Sequence, residues 1–190
     1  MNLFKSIWFF LGKYQTPKIR VLHVLILVLV ITQIIISNWM VGTQSATIPS
    51  ISGEYIFTWM HILIGFSLFF LSFALIWTCL KEKGVKHFYP YLWGDLKQIK
   101  SDINQLIEFK LPDSTPAGLA ATVQGLGLGA LSIVIISGLT WFFLWILGAS
   151  FAYDARSIHK SLTILIEIYI YGHGGLGLIH FIIWYKKAKK

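Results

Sequence analysis

The chain has 190 residues, 56% of them hydrophobic, with 8 Trp and 14 Phe against 13% charged residues, and a formal net charge of +8. A soluble domain of this length has no interior large enough to hide so much apolar side chain. The basic excess resembles that of a nucleic-acid binder, but its placement in the connections between apolar blocks excludes that role.

Four blocks reach the roughly 20 apolar residues that cross hydrocarbon as a helix. They run from Arg20 to Val41, Tyr55 to Leu80, Ala117 to Leu147 and Ser157 to Tyr185. The sequence therefore predicts an all-α integral membrane protein: a single domain over residues 1–190, built as a four-transmembrane-helix bundle. The third and fourth blocks exceed the minimum and are expected to tilt or project. Lys5, Lys13, Lys18 and Arg20 precede the first block, and the loop from Gly42 to Gly53 has no Lys or Arg. Lys81, Lys83, Lys86, Lys97, Lys100 and Lys110 follow the second block, Arg156 and Lys160 open the fourth, and Lys186, Lys187, Lys189 and Lys190 end it. Fourteen of the sixteen basic residues thus fall on one side, which predicts both termini in the cytoplasm.

In chain order, the first span carries His23 near its cytoplasmic start, three residues after Arg20. Its apolar stretch is too long for the apolar core of a signal peptide, so it reads as retained. The loop from Thr43 to Gly53, rich in Ser, Thr, Gly and Pro, reads as a turn region. The second span places His61 in its outer half, with Gly65 one turn later on the same face. Cys79 is the lone cysteine and no C-x-x-C-H occurs, so a haem must be held by coordination and packing alone.

After Pro90 and Trp93-Gly94-Asp95, the spacing of Leu96, Ile99, Ile103, Leu106 and Ile107 describes an amphipathic helix before Pro112 and Pro116. It lies at the cytoplasmic membrane surface or packs on a partner. The third span holds Gly118, Gly125, Gly127, Gly129 and Gly138, which suit close helix packing. Trp39, Trp59, Trp141, Trp145, Trp184 and Tyr185 fall near span ends and read as interfacial aromatics.

The fourth span carries His159 and His173. Fourteen residues is close to four helical turns, so an uninterrupted helix puts both on one face, separated by a rise of roughly 21 Å. Topology permits two pairs: His61 with His159 in the outer half, and His23 with His173 in the inner half. Ionisable side chains inside a bilayer are costly and mark function, and four imidazoles at two depths read as axial ligands of two stacked b haems. Gly172, Gly174, Gly175 and Gly177 clear bulk beside His173, although His180 also suits a partnership with His23. Arg20 and Arg156 each precede a candidate ligand by three residues and could pair with haem propionates. His87 reads as an ordinary interfacial histidine. Glu167 points about 120° away from His173 and so off the histidine face, where a proton relay and a subunit contact are both open readings.

Arg20-x-x-His23, His61-x-x-x-Gly65, the stretch from Gln124 to Gly138, and His159 with His173 together resemble the bacterial cytochrome b-561 family. That family includes the di-haem b-type subunits of membrane-bound hydrogenases and formate dehydrogenases. The resemblance implies an inner-membrane subunit of an oxidoreductase complex, carrying electrons through two b haems between the quinone pool, ubiquinone or menaquinone, and a periplasmic redox enzyme or cytochrome. It makes Gln124 and the loop before it candidate quinone contacts near the His23 and His173 haem. Two alternatives stand beside this: a stand-alone superoxide:quinone oxidoreductase of the same fold, and a haem-free anchor or metal transporter. The last fits poorly, because no His/Asp/Glu cluster gathers at one depth.

Overall fold

The computed structural model describes residues 2–40 and 55–188, and every regular element among them is helical. Helix α1 covers Leu3–Leu11, α2 Pro17–Ser37 and α3 Ile56–Lys83. A short α4 at Val85–Phe88 and a 3₁₀ turn at Pro90–Trp93 lead to α5 at Lys97–Ile107. Helix α6 runs over Leu119–Ile146 and α7 over Ala152–Tyr169, which continues through a single π turn at Ile170–Gly174 into α8 at Gly175–Ala188. Four helices are long and apolar enough to cross a membrane: Pro17–Ser37, Ile56–Lys83, Leu119–Ile146 and the 37-residue run Ala152–Ala188. At 1.5 Å per residue that last run is about 55 Å long and must tilt or project. The predicted turn region at Thr43 to Gly53 and the terminal Lys189 and Lys190 lie outside the described residues.

The chain divides into two compact units. The first combines the residues up to Arg20 with Ile76–Gly129 and the residues from Ile168 onward. Here α1, absent from the sequence expectations, packs its aromatic face on α8. Phe10 lies 5.5 Å from the rings of both Phe181 and Trp184, and Phe9 stacks on Trp184 at 6.1 Å. The Thr16 hydroxyl donates to Glu82 Oε2 (3.0 Å) and Lys83 Nζ to the Tyr14 carbonyl (3.4 Å), tying the α1–α2 corner to the end of α3. The Tyr89 hydroxyl donates to the Gly125 carbonyl on α6 at 2.9 Å. Burial raises its pKa above the ordinary tyrosine value, so it stays protonated as a donor.

Helix α5 forms where the apolar spacing predicts it, but its buried residue is acidic. Asp102 is 1% exposed, accepts from the Leu119 backbone N–H at 2.7 Å and receives Gln98 Nε2 at 2.7 Å. It serves as a remote cap for α6, satisfying one of the N–H groups that a helix start leaves free, at the positive end of the helix dipole. This contact turns the polar side of α5 inward and leaves Leu96, Ile103, Leu106 and Ile107 exposed. Replacing Asp102 with Ala is expected to cost about 1–3 kcal/mol, because both donors lose a charged acceptor; thermal unfolding in detergent measures it.

The second unit comprises Val21–Leu75 and Ala130–Glu167, and draws on all four long apolar helices. A core cluster is formed by Ile62, Trp141 and Trp145, with Trp59, Phe66 and Phe142 packed around it. Trp141 and Trp145 are 5% and 3% exposed and stack at 5.8 Å with 13° between planes. They are core residues, not interfacial ones: four residues apart on α6, they share the face turned towards Ile62 on α3.

Candidate functional site

Within the second unit, α2, α3, α6 and α7 enclose a cavity of about 850 Å³ of empty space, its open side included. His61 from α3 and His159 from α7 both line it, with ring centroids 6.3 Å apart and planes at 74°. These two histidines were predicted to pair, and the fold brings them together. Gly65 lines the same cavity one turn after His61, and a Cβ there would approach Gln33 Nε2 at 3.3 Å. Its missing side chain therefore makes room for Gln33, which donates from Nε2 to the His61 carbonyl at 2.8 Å. Gln33 was not singled out from sequence; a lone amide in the apolar run of α2 was the available signal.

The His159 ring rests over Gly138 on α6, where a Cβ would lie 3.0 Å from Cε1. Its Nδ1 is 2.9 Å from the Ser137 hydroxyl oxygen. Arg156, one turn before His159, is close enough to His61 to act on it electrostatically. Glu167 also lines the cavity. Its angle to His173 predicts a place off the histidine face, but the cavity faces His159, from which eight residues turn the helix through only about 80° net.

The remaining predicted residues belong to both units. His23 is a half-buried residue of α2 in the second unit. In the first unit, His173 sits inside the π turn and stacks on Tyr169 at 4.9 Å with 6° between planes. The π turn also means that 100° per residue holds along α7 only as far as Tyr169, so uniform helical spacing does not carry through to His173. Such turns recur at functional sites. Gln124 is half-buried near the start of α6. Arg20 donates from Nη1 to the Trp8 carbonyl at 2.6 Å, with its guanidinium 4.2 Å from the Trp8 ring centroid. Its Nε is buried with no hydrogen-bond partner. His87, on α4, has its pKa lowered by burial and then by nearby Lys83, which favours the neutral ring.

The His61 and His159 pair fits an iron porphyrin. Metal–imidazole bonds are about 2.0–2.1 Å and a ring nitrogen lies about 1.1 Å from its centroid, so two imidazoles on one iron place their centroids roughly 6.3 Å apart. The unit also holds buried polar atoms with no hydrogen-bond partner: His61 Nδ1, Gln33 Oε1, and the indole N–H groups of Trp59 and Trp145. Orphans of this kind call for a missing partner. Among the described residues no cluster of three or more His, Cys, Asp or Glu could hold a bare metal ion.

An all-helical membrane protein with paired imidazoles facing each other in an apolar cavity has the architecture of a membrane cytochrome. The family model for prokaryotic cytochrome b561 matches residues 14–189, and the chain belongs to that family. Membership makes it a multi-pass membrane cytochrome b of electron transport, with b-type haem as its cofactor. Neither the curated proteins nor the solved structures yield a match.

Proposed function

We propose that the chain is the electron-transfer subunit of an oxidoreductase complex in the bacterial inner membrane. It carries electrons through two b haems between the quinone pool and a periplasmic redox partner. The outer haem is held by His61 and His159 and the inner haem by His23 and His173; both termini are cytoplasmic. The approach of the His61 and His159 rings to 6.3 Å across one apolar cavity carries this reading, since both imidazoles could then hold a haem between them.

Further observations support the parts. Arg156 acts electrostatically on His61, which suits it to a haem propionate, and Arg20 keeps a buried Nε without a partner for the inner one. Four glycines around His173 have nothing within 4 Å of where a Cβ would stand, so little side-chain bulk surrounds that histidine. Gln124 offers a polar group in an apolar helix as a quinone contact. The haem supplies one-electron chemistry, suited to a relay between a two-electron quinol and a one-electron acceptor. The protein's own work is to hold the rings, exclude water and fix the spacing. Exposed Leu96, Ile103 and Ile107, with Lys97, Lys100 and Lys110 nearby, support placing α5 on the cytoplasmic membrane surface.

A reduced-minus-oxidised absorption spectrum with haem quantitation on the purified chain tests the proposal. Two b haems per chain are expected. A colourless preparation from haem-replete cells would end it.

A further inference from the structure

The two outer histidines have different surroundings, and the difference lies at their second ring nitrogens. His61 Nδ1 is buried without a hydrogen-bond partner. His159 Nδ1 faces Ser137 Oγ at 2.9 Å, while the same hydroxyl donates to the Val134 carbonyl at 2.8 Å. A serine hydroxyl has one proton. With that proton directed at Val134, the contact with His159 is an Nδ1–H donating to the oxygen. A neutral imidazole carries one N–H, so Nε2 keeps its lone pair. The neighbouring Gly138 fixes the ring from below, since a Cβ there would stand 3.0, 3.3 and 3.5 Å from Cε1, Nδ1 and Nε2.

We infer that Ser137 is a positioning residue for His159. Its oxygen holds the Nδ1–H tautomer and the ring plane, so that Nε2 is the nitrogen offered to haem iron. This rests on the haem reading above. The physical warrant is general: a ligating histidine that donates its other N–H is fixed in orientation and becomes a more basic ligand. A more basic ligand favours ferric iron and lowers the potential of the haem it binds.

The test uses the full-length, haem-loaded chain and compares Ser137→Thr, Ser137→Val and Ser137→Ala. Thr and Val are close in shape and differ by the hydroxyl, and Ala guards against a steric failure of Val. The readouts are haem content, the low-spin electron paramagnetic resonance signal and the two midpoint potentials. Ser137→Thr is expected to keep the wild-type values. Val and Ala are expected to weaken haem retention at one site about 10–100-fold. They should also raise one midpoint through an approximately tenfold shift towards ferrous iron, about 59 mV for one electron, leaving the other component unmoved. Thr and Val behaving alike would overturn the role of Ser137, as would wild-type potentials and signals in both Val and Ala. A wild-type chain without haem would instead overturn the haem reading itself.

Discussion

His61→Ala and His159→Ala are each expected to remove one of two b haems and leave the other in place. The two rings stand 6.3 Å apart across one cavity, on helices whose packing does not depend on them. The Ile62, Trp141 and Trp145 cluster and the Phe66–Phe142 contact at 5.1 Å hold α3 against α6 independently of either imidazole. The fold should therefore survive while coordination fails. Alanine takes away a ligand for which the described residues offer no ready substitute, because among them the only other carboxylate or imidazole in the cavity lining is Glu167. Haem quantitation should fall by half in either variant, with a single component left in the redox titration. The double variant should look like either single one, since both act on the same iron. Retention of both haems in His61→Ala would show that the pairing is wrong.

The second large effect is expected at Gly127. A Cβ there would run into the ring of Tyr169, a backbone-to-ring approach that only glycine permits. Tyr169 in turn lies parallel to His173 at 4.9 Å. Gly127→Ala must displace the tyrosine, at an overpacking cost of about 1–3 kcal/mol, and the histidine loses the ring that fixes it. Gly129 on the same helix is the control, because nothing lies within 4 Å of its missing Cβ. Gly129→Ala should leave the unfolding temperature unchanged or raise it, as alanine is the better helix former. Thermal unfolding and the visible spectrum together read both variants; equal behaviour of the two would refute the Tyr169 contact.

The four spans were legible because long apolar runs have few alternatives, and their observed ends fall within a few residues of expectation except where α7 starts early at Ala152. That His61 and His159 come close to one another was legible from topology. What escaped has identifiable causes. Helix α1 is short and carries its signal in aromatics, Phe9 and Phe10, whose partner Trp184 lies at the far end of the sequence; missing it hid the partner of Arg20, whose guanidinium lies on Trp8. Amphipathic spacing found α5 but not its inward face, because the deciding contact, Asp102 to the start of α6, is seventeen residues away. Trp141 and Trp145 lie towards the end of a span, and depth along a helix does not say which way a ring faces. Ser137 carried no signal of its own among serines and glycines that packing alone explains.

The widened turn at Ile170–Gly174 gives the chain a residue more than a plain α-helix needs there. Excising one residue from this stretch would let ordinary i to i−4 bonding resume and change the angle at which the imidazole of His173 meets the face of Tyr169. The count of residues in that one turn, more than their identity, thus sets where this histidine aims.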